Sequence, residues 1–352
     1  MARPGRRLVV AGAVLAALIL LDANLPHLLD PYHFQILIYI GINIIFAVSL
    51  NLINGITGQF SNGHAGFMAI GAYVSAYITY YFGPGLLSAE KTGGPPPGLA
   101  GEATLLLALV AGGLAAAGAG YIVGLPSLRL KGDYLAIVTL GFGEIIRVFI
   151  LNIDSVGGAR GFSGVPPLQT FSPLRSLFWV FLVAIVTVLV SIRLVSSAHG
   201  RAMMAVREDE VAAEAMGVNS TRYKVSAFVI GAFFAGVSGG LFGHFLQYLN
   251  PAMFTFVQSF EAVIMVVLGG MGSISGSVLA AVIMTILKEV LREVKNYTPY
   301  GIDPRMVLFS LLLIVLMLTR PTGLLGSREV WDVAPLRNLR RRARPGAGGD
   351  VW

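Results

Sequence analysis

The 352-residue sequence contains no cysteine, which excludes disulfides and thiolate metal sites. Charge is scarce as well: 12% of residues are charged, against roughly 25% in an average soluble domain, while 55% are hydrophobic. So little charge cannot cover a water-soluble globule of this length, and the solvent is lipid. No G-x-x-x-x-G-K-[ST] phosphate loop occurs, so any ATP hydrolysis has to happen on another polypeptide. H-E-x-x-H is absent, and five scattered histidines form no metal cluster. Short segments of alternating polarity, the mark of a membrane β-barrel, are also missing.

What is present is a succession of continuous apolar runs rich in Leu, Ala, Val and Gly. Each is long enough to cross a hydrocarbon core of about 30 Å as a helix rising 1.5 Å per residue. The clear spans are Leu8–Leu25, Phe34–Ile53, His64–Phe82, Thr104–Leu125, Tyr134–Leu151, Leu174–Leu194 and Tyr223–Leu249. Arg3, Arg6 and Arg7 precede the first run as in a signal peptide, but no small-residue cleavage site follows, so the run reads as a retained span. Ser259–Lys288 is interrupted by Gly269-Gly270-Met271-Gly272-Ser273-Ile274-Ser275-Gly276 and reads as one long span or two shorter ones; Met306–Leu318 is the last. The fold class is an all-α integral membrane bundle. It forms one domain over residues 1–325, followed by a basic tail over 326–352.

The net charge of +7 sits beside the apolar runs rather than on one face, which speaks for topology signals and against nucleic-acid binding. Basic residues are retained on the cytoplasmic side, and both ends qualify: Arg3, Arg6 and Arg7 at one, Arg320, Arg328, Arg337 and Arg340 to Arg342 at the other. Two cytoplasmic termini require an even number of crossings, about ten if Ser259–Lys288 is divided. Arg129, Lys131 and the loop Arg193–Lys224 then lie inside, and the Gly- and Pro-rich loops 83–101 and 152–173 outside. Lys288–Lys295 falls outside despite its basic residues, and its mixed charge suggests a short amphipathic surface helix.

Within the loop, Glu208-Asp209-Glu210-Val211-Ala212-Ala213-Glu214-Ala215-Met216-Gly217 predicts a short helix, with acids in its first turn and Gly217 suited to a left-handed cap. Asn219 or Ser220 caps the next helix. The alanines permit close approach, and Val211, Ala215 and Met216 form an apolar patch that lipid cannot reach. The loop is either a plain connector or a docking helix for a cytosolic protein.

The Glu-Ala-Ala-rich helix ending in Gly resembles the coupling loop of the permease subunits of ATP-binding-cassette importers. Gly58-Gln59-Phe60-Ser61-Asn62-Gly63-His64-Ala65-Gly66-Phe67, the block Gly132–Arg147 and Leu268–Gly276 are similar to motifs of the LivM-type branched-chain amino acid permease; together the blocks cover about residues 34–325. The resemblance implies a second homologous permease sharing the pathway, two cytosolic ATPase subunits that hold ATP and Mg, and an extracytoplasmic substrate-binding protein. It implies a multi-pass chain in the bacterial inner membrane, with no cofactor of its own. Residues Glu208, Glu210, Val211, Ala212, Ala213, Glu214, Ala215, Met216 and Gly217 would be the ATPase-coupling site. Leucine, isoleucine and valine would be the cargo, with urea or short amides as the alternative.

Polar groups at membrane depth are costly unless they meet protein or water. Asn43, Asn51 and Asn54 share one face of the second span, and Gln59, Ser61, Asn62 and His64 follow in an uncharged, Gly-rich break; they either line a translocation pathway or bond neighbouring helices. Glu144 and Arg147 sit three apart in the fifth span and are expected to pair with each other or across helices, as a structural ion pair or as part of a gate. Glu261 lies near a span's outer end, where water reaches it. An ion-coupled secondary transporter would need more intramembrane acids than Glu144 and Glu261. Gly236-Val237-Ser238-Gly239-Gly240 matches a nucleophile elbow formally, but inside an apolar helical run it reads as a packing face, like Gly120 with Gly124 and Gly239 with Gly243.

Overall fold

In lipid every backbone N–H and C=O must be satisfied within its own segment, so apolar runs of this length become helices. The computed structural model describes residues 4–82, 99–127, 132–171 and 176–294, and 311, 314–315, 318–319, 323–326 and 329–330 beyond them. Helix α1 (Pro4–Leu28) is followed by α2 (Pro31–Asn51), which starts on a proline whose missing N–H is no loss there and ends in a π turn, Leu52–Ile56. An extended break leads to α3 (His64–Tyr77), prolonged by a second π turn, Ile78–Phe82. Next come α4 (Leu99–Ser127), α5 (Asp133–Leu151) and α6 (Ser176–Ser196). Two loop helices, α7 (Ala198–Glu208) and α8 (Glu210–Ala215), precede α9 (Ser220–Leu246), α10 (Phe256–Gly269) and α11 (Ile274–Val294).

Among the described residues, seven helical segments are long and apolar enough to cross a membrane: Pro31–Ile56, Gly101–Pro126, Tyr134–Leu151, Ser176–Ser196, Ser220–Leu246, Pro251–Gly269 and Ile274–Arg292. The second of these is 44% buried and the third only 22%, whereas Pro31–Ile56 is 78% buried and Ser220–Leu246 67%. Thus α2 and α9 are central and α5 lies at the periphery. Packing of α9 against α3 and α4 depends on missing side chains: a Cβ on Gly71 would fall on the Gly236 backbone, and one on Gly239 on the Met68 carbonyl. The Gly236–Gly240 run is therefore a helix-crossing surface, as small residues are in membrane bundles.

The two ends of the bundle differ. At one end Phe162–Ser163 pairs antiparallel with Tyr248–Leu249, the Tyr248 hydroxyl donates to the Arg160 carbonyl at 3.0 Å and the Tyr81 hydroxyl to that of Ser155 at 3.0 Å. At the other end the α7–α8 loop, the π turn after α2 and the break between α10 and α11 come together.

Ser259–Lys288 is two helices, parted where Gly270 and Gly272 take positive φ of 108° and 95°. Two expectations are corrected here. Residues 288–294 form no separate surface helix but continue α11, because the apolar stripe of Ile274–Val294 runs through them unbroken. Glu261 is not solvated: its carboxylate accepts from Lys288 Nζ at 2.5 Å and its side chain is 17% exposed, since α10 and α11 are antiparallel neighbours. Residues 83–98, Arg129, Lys131, Arg320, Arg328, most of Met306–Leu318 and the tail from 331 lie outside the described residues.

Candidate functional site

The loop between α6 and α9 is built from caps. Ser197 accepts from the Gly200 N–H to open α7. One helix was expected from Glu208 to Gly217, but the chain divides at Asp209, whose extended backbone (φ −155°) interrupts the helix and whose carboxylate accepts from the N–H groups of Val211 at 2.9 Å and Ala212 at 3.0 Å. A short acid beside free amides makes a better cap than an interior residue. Glu208 accordingly closes α7. Helix α8 ends at Gly217 (φ +82°), with the Gly217 N–H donating to Glu214 and the Val218 N–H to Ala213, the paired bonds of a left-handed helix stop. Asn219 then accepts from the Arg222 N–H at 2.9 Å and starts α9.

The caps give α8 two faces. On the inner face Ala213 is buried, Glu210 accepts from Lys224 Nζ at 2.6 Å, and Ser220 donates its hydroxyl to Glu214. Both acids therefore anchor α8 to α9. On the outer face Val211, Ala212, Ala215 and Met216 are exposed, Val211 at 71% and Met216 at 84%. Val211 and Met216 thus form an exposed apolar patch outside the spanning helices.

The asparagines of α2 do not converge on one cavity. Asn43 donates to Thr285 Oγ1 at 2.9 Å. Asn51 holds the α10–α11 break, donating to the Ser273 carbonyl and accepting from the Gly272 N–H, both at 2.9 Å. Asn54 accepts from the Ser61 N–H at 3.1 Å and closes the α2–α3 break on itself. His64 Nε2 and the Ser49 hydroxyl lie 2.8 Å apart, with the imidazole between Phe46 and Phe67. In the same break the side-chain amide of Gln59, the Ser61 hydroxyl and Asn62 Oδ1 are buried without a protein partner. Three surface grooves of about 480, 420 and 700 Å³ lie elsewhere, and none is lined by these residues.

Glu144 accepts from Arg147 Nε at 2.7 Å on α5, each side chain about a third exposed, and the Phe256 N–H also approaches Glu144 at 3.3 Å. Among the described residues no group of three or more His, Asp or Glu is placed to hold a metal ion.

Several residues that organise the site carry no local signal in the sequence. Arg207, at the end of α7, donates to the Gly55 carbonyl at 2.7 Å. Glu329 accepts from the N–H groups of Ile274 and Ser275, both at 2.9 Å, and caps α11 from another part of the chain. Asp22 is buried in α1 and accepts from the Phe178 N–H at 3.2 Å. Each partner is remote in sequence, so spacing could not reveal them.

A family model described as branched-chain amino acid transport system / permease component matches residues 32–319. The high-affinity branched-chain amino acid transport system permease proteins LivM of Salmonella typhimurium and Escherichia coli are each 35% identical over 340 residues, covering 88% of this chain and 74% of theirs. The corresponding protein LivH of Salmonella typhimurium is 31% identical over 179 residues, 51% of this chain and 54% of its own. No solved structure matches.

Proposed function

The chain belongs to the permease-component family of branched-chain amino acid transport systems, and from that premise we propose that it is a membrane permease of an ATP-binding-cassette importer for leucine, isoleucine and valine. The observation that carries the reading is identity of 35% maintained over 88% of the chain with a permease named for that transport.

The finer account is our proposal as well. The chain crosses the inner membrane about ten times with both termini in the cytoplasm. It pairs with a second homologous permease, a division supported by its partial likeness to LivH. Two cytosolic ATPase subunits bind ATP and Mg and dock on the outer face of α8, where Val211 and Met216 supply an apolar contact and Ala212 and Ala215 allow close approach. An extracytoplasmic binding protein delivers the amino acid at the opposite end. The chain itself is non-catalytic: it turns the motion of its partners into alternating access.

The unpartnered polar atoms of Gln59, Ser61 and Asn62 support a place for the α2–α3 break on the pathway, because buried polar groups without partners cost about 1–3 kcal/mol each and are kept where they serve a ligand or a moving part. Asn54 closes that break on itself and His64 ties its end to Ser49 of α2, while Asn43 and Asn51 tie α2 to α11 and to the α10–α11 break. The Glu144–Arg147 pair, about a third exposed on the most peripheral of the seven spanning helices, suits a seam with the second permease better than lipid contact.

Substrate class is tested by uptake of labelled leucine in cells carrying the assembled system. Excess isoleucine and valine are expected to compete, and urea and acetamide are not; competition by the amides alone would assign the system to the other cargo.

A further inference from the structure

Beyond docking, the motion has to reach the pathway, and a single side chain spans the gap. Arg207 is the last basic residue of α7, one turn before the outward face of α8. Its guanidinium donates from Nη1 to the Gly55 carbonyl at 2.7 Å, inside the π turn that ends α2. Its methylene stem lies against Gly58, where a Cβ would come within 2.9 Å of Arg207 Cγ, and the same Nη1 would be 2.7 Å from a Cβ on Gly272. Gly272 is in turn fixed to α2 by Asn51. One cation from the loop therefore touches both breaks in the membrane domain, the one between α2 and α3 and the one between α10 and α11.

Chemistry favours this position. A helix end leaves carbonyls without partners, and a cation there is doubly favourable, as donor and as counter-charge to the helix dipole. The neighbouring carbonyl of Ile53 is taken by the Gln59 N–H and the Thr57 hydroxyl, leaving that of Gly55 to Arg207. Glycine at 55, 58 and 272 gives the guanidinium room, since a side chain at any of them would meet Arg207, Asn51 or the facing backbone.

We infer that Arg207 is the positioning residue through which displacement of the α8 docking helix moves the two breaks together. The inference rests on the proposed docking of ATPases at α8, and its test separates the two. Because the chain has no cysteine, spin-label pairs can be placed uniquely within it: Ala212→Cys on the loop or Phe60→Cys on the break, each measured against Leu114→Cys on the outer face of α4. In the assembled importer, ATP binding is expected to shift both distances. In Arg207→Gln the ATPases should still co-purify and the 212–114 distance should still shift, but the 60–114 distance should not, and leucine uptake should fall about tenfold or more, within the usual range of coupling between sites. Arg207→Lys, which keeps the charge and one donor, should recover part of both. If Arg207→Gln retains both shifts and uptake, the inference is overturned while docking stands. Loss of both shifts in that variant alone would make Arg207 a docking residue and overturn it too. Absence of the 212–114 shift in the unaltered complex would remove the docking reading, and this inference with it.

Discussion

Asn51 and Gly272 meet across 221 residues of sequence: the Gly272 N–H donates to the side-chain oxygen of Asn51 at 2.9 Å, while the Asn51 amide nitrogen reaches the Ser273 carbonyl. One buried side chain thus serves two polar groups of a loop that turns in an apolar environment, where an unmet Gly272 N–H would be costly.

Asn51→Leu should leave the Gly272 N–H without its acceptor, at about 1–3 kcal/mol. Thermal unfolding of the detergent-purified chain, followed by tryptophan fluorescence, should place the leucine variant below wild type. A leucine variant as stable as wild type would show that the break is not held from α2.

The α3–α9 crossing gives a sharper steric prediction. At Gly71 even one methyl group would strike the backbone of Gly236, so Gly71→Ala should part the helices and cost on the order of 1–3 kcal/mol, as overpacking does. Gly118→Ala, where a methyl group meets nothing within 4 Å, is the control and should be neutral. Comparing folded yield and unfolding temperature of the two measures the effect.

The loop anchor is electrostatic. Lys224 and Glu210 are 11% and 26% exposed, so removing one partner leaves a poorly solvated charge. Lys224→Met should destabilise by about 1–3 kcal/mol, and adding Glu210→Met should restore part of that. A double-mutant cycle read by proteolysis of the 198–219 loop checks the sign. Equal cleavage in all four proteins would mean that the pair does not fix α8.

Docking predicts a different pattern. Val211→Asp and Met216→Asp alter only exposed side chains, so insertion and folding should be unchanged while co-purification of the ATPase subunits drops. Gly217→Pro should act indirectly, because proline cannot adopt φ +82° and the stop that orients α8 is lost. Thr221→Asp, exposed but off the patch, should bind as wild type does. Pull-down from membranes distinguishes these cases, and normal recovery with both aspartates would place docking elsewhere.

Much of this was legible in the sequence because it is local. Apolar runs announced the spans, the polar Gly-rich break ended where α3 begins at His64, and Gly217 and Asn219 showed their caps by residue type. Long-range pairing was not legible. Spacing places Asn51 and Asn54 on one helix face, yet Asn54 lies in the π turn and closes its own break while Asn51 braces a loop 221 residues away. Glu210 and Glu214 are named for the coupling site by resemblance, but nothing in the sequence shows that they bond Lys224 and Ser220 on the following helix. Arg207 is one basic residue among several in the loop between α6 and α9, and its distance to the Gly55 carbonyl distinguishes it. Polar groups in lipid are forced to find partners, but sequence does not say which.

The central claim is that this chain carries branched-chain amino acids only when driven by ATPases docked on α8. Leucine flux into proteoliposomes tests it most directly, comparing this chain alone with the assembled complex, with and without ATP. The account predicts ATP-dependent flux in the complex, abolished by Val211→Asp, and none in the isolated chain. Leucine accumulation by the isolated chain on a proton or sodium gradient, without ATP, would contradict it.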